Sequence, residues 1–485
     1  MTGFHLAKIM ELVQKLQDLI WGPPLMLLLL GTGFYLMVSL KGIPLRKLPR
    51  AISETLHFVP VENASVFSSR NTSSKKSKEG GEISAFSSLS TELAATIGTG
   101  NIVGVVTAIM LGGPGALWWM LFSGILGLAT KLVESSISVK YRVTGKNGEY
   151  HGGPMITLAG AGFPYPRLGK ALALMYAVFA ILCAFGMGNM VQANSIAASL
   201  ECSFGISNKI SGWVLAVLIL FAVLGGVRVI SGISAFLVPA MGALYLAGCL
   251  GVMYVHRDQL IWSVFGSLAA AFYPKAVSGG IFGTITATFL ESAKWGVSRG
   301  IFSNEAGLGA AGISAAASEE KDAIRQGMIS MTGVFFDTMI ICMVTGVTFC
   351  CSGVMQKASA GKLFLNGKKI MPDDGVGLMI AAFETAFGSY GTVLLGICIT
   401  LFAFATILGW GYQGEQAFRY LFGERQIPVF RFAYGFASFL GAVLTLRLVW
   451  GISDICNGLL SIPNLICVLV LSGRMCKEIR EYFHF

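Results

Sequence analysis

Ala94-Ala95-Thr96-Ile97-Gly98-Thr99-Gly100-Asn101 and Ala276-Val277-Ser278-Gly279-Gly280-Ile281-Phe282-Gly283 are two glycine-punctured octets set inside otherwise apolar runs. Glycine in mid-run weakens a helix, because it gives up the most backbone freedom and adds no packing. In a bilayer the peptide groups freed by such a break must be met by a ligand, an ion or other protein groups. A single break of this kind is equally consistent with close packing of helices around small residues. Two breaks, each heading a set of five apolar runs, are the pattern of a carrier built from inverted repeats whose half-helices meet near the midplane.

Outward from these octets, the apolar residues gather into about eleven runs near the ~20 residues that a helix needs to cross ~30 Å of hydrocarbon. They are 22–40, 84–111, 113–139, 169–198, 209–226, 229–253, 261–292, 328–352, 390–410, 430–449 and 454–472. With 54% hydrophobic and 12% charged residues and a mean hydropathy of +0.70, water is not the main solvent of this chain. The expected fold is an all-α polytopic membrane protein of about 11 transmembrane helices, one peripheral N-terminal helix plus a 5+5 inverted-repeat core with two broken helices. Residues 1–83 are expected to hold the peripheral helix and a basic cytoplasmic loop, 84–254 the first five-helix repeat, 255–473 the second, and 474–485 a cytoplasmic tail. A β-barrel would show alternating segments of ~10 residues instead. No small-residue cleavage site follows the first apolar run, so a removed signal peptide is not expected.

Charge placement gives the orientation. Lys41, Arg46, Lys47, Arg50, Lys140, Arg142, Arg167, Lys170, Arg299, Lys321, Arg325, Arg419, Arg425, Arg431, Arg474, Lys477 and Arg480 follow odd-numbered runs, whereas Lys357, Lys362, Lys368 and Lys369 face the other way. The positive-inside rule then predicts an outside N-terminus and an inside C-terminus. The stretch from Ser65 to Gly81 reads as a flexible cytoplasmic loop, a solvated linker in preference to the alternative of a contact for anionic lipid. The basic residues are accounted for by topology, so no nucleic acid partner is expected. Ten cysteines with no CxxC pair and five scattered histidines supply no metal or disulfide framework. The absence of a clustered nucleophile, metal site or acid–base group argues against an enzyme, and no filter-like pore sequence suggests a channel. Nothing in the sequence fixes an oligomeric state.

A broken helix offers free N–H groups at the start of its second half and free carbonyls at the end of its first, which suits an amino-acid zwitterion. The N–H groups of Thr99, Gly100 and Asn101 are expected to hold a carboxylate. Asn101 can also present its amide oxygen to a cation or cap the half-helix. Gly279 and Gly280 would offer carbonyls to the ammonium and leave room for a compact substrate. In Gly186-Met187-Gly188-Asn189-Met190-Val191-Gln192-Ala193-Asn194, three carboxamides lie in an apolar run. Asn189 and Gln192 share a face; Gln192 is read as a substrate contact, against interhelical hydrogen bonding as the alternative. Thr406 and Trp410 stand one turn apart, an oxygen for sodium beside a ring over the substrate, or else an interfacial anchor. Carbonyls of Ala94, Ile97 and Phe402 would complete the ion's shell together with Asn101. Glu92, Glu134, Glu291, Asp337 and Glu384 are costly acids near apolar runs; Asp337 is the candidate for a proton-linked or gating acid, or for one half of a buried ion pair with a cytoplasmic-side base. The Gly-rich run from Trp295 to Gly309 lacks a phosphate loop's Lys-Ser/Thr ending and reads as an inner gate, with Arg299 and Glu305 as its charged members.

The chain resembles the alanine or glycine:cation symporters, a prokaryotic family. The likeness rests on Gly81-Glu82-Ile83-Ser84, Leu93 to Ile102, Leu111-Gly112-Gly113-Pro114-Gly115-Ala116, Lys140-Tyr141-Arg142, Gly188 to Ser195, Arg299 to Gly309 and Gly409-Trp410, in order from about residue 20 to 472. It implies the five-plus-five fold, uptake of alanine or glycine with sodium as the coupling ion and no other cofactor, and residence in a bacterial inner membrane. It also implies a site between the two broken helices and the segments carrying Gln192 and Trp410. The family usually has Ser-Thr where this chain has Ala405-Thr406, so one hydroxyl ligand for the ion is missing; D-alanine and serine are also compatible with so small a pocket.

Overall fold

The computed structural model describes residues 2–57, 83–145, 148–160, 162–272, 289–365, 368–444 and 446–484. Gly279, Gly280 and the Ser65 to Gly81 stretch lie outside the described residues.

Helix α1 (Thr2–Ile20) is followed, after Trp21 and Gly22, by α2 (Pro23–Ser39), which opens on two prolines where a helix's first N–H groups have no partner to lose. The first core helix is broken as expected. It comprises α3 (Ala85–Thr96), a 3-10 turn Thr99–Asn101, and α4 (Val103–Gly112), with a 58° bend. Then come α5 (Ala116–Lys140), α6 (Pro166–Phe185) running through a π turn Gly186–Met190 into α7 (Val191–Phe204), α8 (Asn208–Leu224) and α9 (Gly226–Val255). Helix α10 (Arg257–Phe272) intervenes before a second set. That set is α11 (Phe289–Asn304) with α12 (Ala310–Ala316), α13 (Ala323–Val334) with a π turn Phe335–Cys342 and α14 (Met343–Cys351), then α15 (Gly375–Phe387), α16 (Ser389–Phe422), α17 (Ile427–Val443) and α18 (Leu446–Tyr482).

Among the described residues seven helices are long and apolar enough to cross a membrane, or eight if the bent α3–α4 pair is one span. The expected runs 209–226 and 430–449 correspond to α8 and α17, each of 17 residues and short of the ~20 of a full crossing, and residues 273–288 of the expected run 261–292 lie outside the described residues.

The second break expected from the sequence pattern, at 276–283, lies outside the described residues. Of the run 261–292, the described residues hold α10 up to Phe272 and the start of α11 from Phe289. The interruption that faces the first one is Glu305 to Gly309, between α11 and α12. There Glu305 (φ 57°), Gly307 (φ 94°) and Gly309 (φ 74°) are all left-handed, which no α-helix can continue through. A Cβ on Gly100 would lie 3.2 Å from Phe302 Cδ1 and 3.5 Å from Ser303 Cα, so α11 packs on the first break. The Glu319 N–H donates to the Ile83 carbonyl at 2.9 Å, just after α12 ends and just before α3 begins, so the two broken helices run antiparallel.

The ends of the bundle are also distinct. Trp21, at the start of α2, donates from Nε1 to the Asp454 carbonyl at 2.9 Å, and Arg480 donates to the carbonyl of Ser39, where α2 ends, at 3.0 Å. Asp454 and Glu478 on α18 are ~36 Å apart at 1.5 Å per residue. Glu478 pairs with Lys140 and Arg474. Arg299 pairs with Asp454, so it lies at the end opposite Lys140 and Arg480, not with the cytoplasmic basic residues among which its position in the sequence placed it.

All ten cysteines are free thiols and nine are buried, in line with their reading as small core residues.

Candidate functional site

At the first break Ile97 N still bonds Leu93 O at 2.7 Å, and Gly98 then turns extended (φ −135°, ψ −152°). Any residue adopts that backbone; what demands glycine is space, because a Cβ there would meet Thr406 Oγ1 at 2.3 Å. Asn101 restarts the helix by accepting the Gly98 N–H on Oδ1 at 2.8 Å. Its capping role is therefore realised, and its Nδ2 reaches away to Asp337 Oδ1 at 2.6 Å.

Thr406 is brought to the break as expected. Its hydroxyl donates to the carbonyls of Phe402 at 3.1 Å and Ile97 at 3.4 Å, which gathers three hard oxygens in one place. Ala94 lies one turn before Ile97, fully buried on α3. Ala405 is buried beside Thr406 and adds no oxygen.

Of the three carboxamides of the π-turned segment, only Gln192 turns to the break. Its Oε1 accepts from Thr99 Oγ1 at 2.9 Å and Thr99 N at 3.2 Å, and its Nε2 donates to Met187 O at 3.1 Å. Asn189 instead donates to Tyr434 O at 2.7 Å, and Asn194 to Gly441 O and Leu444 O at 2.8 Å each. The interhelical alternative thus holds for these two, which fasten α17. The π turn defeats the simple i, i+3 count, because its wider pitch rotates Asn189 off the face of Gln192.

Trp410 is fully buried, so it is no interfacial anchor. It packs where a Cβ on Gly188 would come within 2.3 Å of it, and its Nε1 donates to Glu305 Oε1 at 2.7 Å. Glu305 is itself fully buried, and its left-handed backbone costs about 1–3 kcal/mol that the Trp410 bond helps offset.

Asp337 sits in the π turn Phe335–Cys342, completely buried. Its carboxylate accepts from Asn101 Nδ2, from Ser303 Oγ at 3.0 and 3.2 Å, and from Thr338 Oγ1 at 2.7 Å. Neutral donors hold it, rather than the cytoplasmic-side base considered from sequence. It links the second half of the first broken helix to α11.

Lys131 was not singled out from sequence, although a lysine in mid-run with Glu134 one turn on is the signal that could have marked it. It is 1% exposed, donates from Nζ to Asn304 O at 3.0 Å, and stands 3.9 Å from Glu92 Oε1. Its charge also reaches Glu134, Glu305 and Asp337. Glu134 Oε2 accepts from Gly307 N at 3.1 Å and from Asn464 Nδ2 at 3.0 Å, and the same Asn464 nitrogen donates to Gly307 O at 2.9 Å.

Arg299 makes a two-pronged bond to Asp454, at 2.8 and 2.9 Å, with both side chains 8% exposed. Its guanidinium lies 5.2 to 5.5 Å from the rings of Trp295, Phe302 and Trp450. Phe302 stacks on Trp450 at 5.3 Å and faces Gly100 on its other side, so this layer covers the first break. Beyond it opens a cavity of about 320 Å³ walled by Gln14 and Gln17 of α1, Thr107, Trp450 and Asp373. Arg299 thus belongs to the layer over the first break, at the end of the bundle where α1 lies.

Three comparisons bear on this arrangement. A solved structure of MhsT in complex with L-phenylalanine superposes with a TM-score of 0.56 at 16% identity, covering 81% of this chain and 90% of that one, and so shares the fold. A sodium/alanine symporter of Methanococcus maripaludis is 39% identical over 97% of both chains. A probable sodium/glutamine symporter of Bacillus subtilis is 30% identical over 96% of this chain and 89% of its own. These relatives are transporters and not enzymes. The profile of the sodium:alanine symporter family matches residues 6–485. The chain is a multi-pass membrane transporter, and it belongs to the sodium:alanine symporter family.

Proposed function

We propose that this protein carries a small neutral amino acid, alanine or glycine, into the cell together with sodium by alternating access. The observation that carries the reading is the Gln192 amide oxygen, which accepts two donors of the first break, the Thr99 hydroxyl and N–H. It stands where a substrate carboxylate oxygen would accept the same donors. Thr99, Gly100, Asn101, Gln192 and Trp410 form the substrate contacts of this reading, and Ala94, Ile97, Asn101, Phe402 and Thr406 those of sodium. Phe302 crowds the break at Gly100, and Trp410 packs on Gly188 beside the segment that carries Gln192, which favours a side chain no larger than a methyl group.

Sodium bound among the Ile97, Phe402 and Thr406 oxygens fastens α16 to α3. It thereby favours the state in which the Arg299 side opens, and sodium with substrate together permit opening at the other end. Arg299, Glu305 and Asp337 are the gating groups. The protein resides in a cytoplasmic membrane, with its N-terminus and the Arg299–Asp454 layer outside and its C-terminus inside, as the basic cluster of Lys140, Arg142 and Arg480 supports.

Uptake of labelled alanine, glycine and glutamine into proteoliposomes, with and without an inward sodium gradient, tests this. Uptake of alanine or glycine that vanishes without sodium is expected; uptake indifferent to sodium, or confined to glutamine, overturns it. Asp337, bonded to Asn101 at the site, is the one observation that favours a proton as coupling ion, and a pH gradient imposed without sodium decides between the two.

A further inference from the structure

The two breaks are satisfied by different chemistry. At the first, the freed groups meet neutral partners, Asn101, Gln192 and Thr406. At the second, they meet charges of the chain itself, and each charge is at the electrostatically matching end. The last carbonyl of α11, at the partly negative C-terminus of a half-helix, receives the Lys131 ammonium; the Gly307 N–H, past the break, receives the Glu134 carboxylate. Lys131 and Glu134 share one face of α5 three residues apart, so a single rigid helix delivers both.

The ammonium also faces Glu92 on α3, whose other oxygen accepts from Ser330 at 2.9 Å. One positive charge therefore lies between the first broken helix, the second broken helix and α5. Buried acids at this depth need a counter-charge, because a bare carboxylate costs several kcal/mol to desolvate. An inorganic cation could supply that charge but would leave with each cycle.

We propose that Lys131 is a tethered cation that permanently fills the second break, so that the only inorganic cation bound and released is the one at the first break. This rests on the symport reading above and fixes its ion count.

The test uses the full chain in proteoliposomes. The reversal potential of alanine-driven current gives the coupling ratio, with one sodium per alanine expected; a ratio of two overturns the proposal about Lys131 while leaving symport intact, whereas absent sodium-dependent uptake would count against symport itself. Lys131→Met keeps the volume and removes the charge, and is expected to lower uptake at least about a hundredfold. In Lys131→Ala, n-propylammonium added with the substrate is expected to restore uptake at least tenfold above the unrescued variant, and n-propanol is not. Wild-type uptake by Lys131→Met, or equal rescue by amine and alcohol, overturns it, as does folded Lys131→Ala with no rescue by the amine. Should Lys131→Ala not fold, the coupling ratio and the Met variant still decide.

Discussion

Asn101 donates to Asp337 across 2.6 Å while accepting the Gly98 N–H at 2.8 Å, so one carboxamide both restarts the first broken helix and fastens it to the π turn of its neighbour. Asn101→Ala leaves a buried N–H and a buried carboxylate each short of a partner, at about 1–3 kcal/mol apiece. Alanine binding at fixed sodium should weaken about tenfold to a hundredfold, read by equilibrium dialysis of labelled substrate. Asn101→Asp should be worse, because it sets carboxylate against carboxylate. Unaltered binding by both variants would remove the site from this position.

Gly98→Ala adds one methyl group where Thr406 Oγ1 is 2.3 Å away. Its backbone is extended and poses no difficulty, so the effect is steric and local. Sodium affinity is expected to drop at least about tenfold while the detergent-solubilised protein stays monodisperse and melts within a few degrees of wild type. A titration of sodium-dependent alanine binding measures this, and an unchanged sodium midpoint would place the ion elsewhere.

Glu305 accepts the Trp410 indole N–H at 2.7 Å from a strained backbone. Glu305→Gln retains an oxygen for that bond and should keep substrate affinity within about threefold, whereas Glu305→Ala orphans the indole and should cost about 1–3 kcal/mol. Tryptophan fluorescence of a variant lacking the other seven tryptophans, with and without alanine, separates them. Equal losses in Gln and Ala variants would mean that charge, not the hydrogen bond, is what Trp410 needs.

Arg299 and Asp454 form a buried pair over the first break. Arg299→Gln alone strands the Asp454 carboxylate and should destabilise the closed state by about 3–5 kcal/mol, while the double variant Arg299→Gln with Asp454→Asn should recover part of that. Thermal melting in detergent reads the stability. Cysteine labelling at Thr99, fully buried at the break beneath the pair, reads the opening; labelling no faster in the single variant than in wild type would show that the pair does not close this side.

Much of this architecture was legible before any coordinates. The glycine-broken first helix, its asparagine cap and the approach of Thr406 followed from Gly98, Asn101 and a one-turn spacing, because these are local rules. The interruption from Glu305 to Gly309 was read from sequence only as a Gly-rich inner gate, because glycines in a string do not say where a helix stops. What marks it is a left-handed Glu305 held by Trp410 on a distant helix. Asn189 was misjudged for a related reason: α-helical counting fails across a π turn. Lys131 was missed, and Arg299 was put at the wrong end, because each is defined by partners more than 150 residues away, Asn304 and Asp454.

The amino-terminal helix leans on the same carboxylate that holds Arg299: Gln17 donates to Asp454 Oδ2 at 2.9 Å, Trp21 to its carbonyl, and Val13 presses where Gly451 has no side chain. Any rearrangement that frees Asp454 must therefore shift this appendage. A dye on exposed Gln14 would act as a remote pointer, reporting turnover in real time from a position that touches neither cargo.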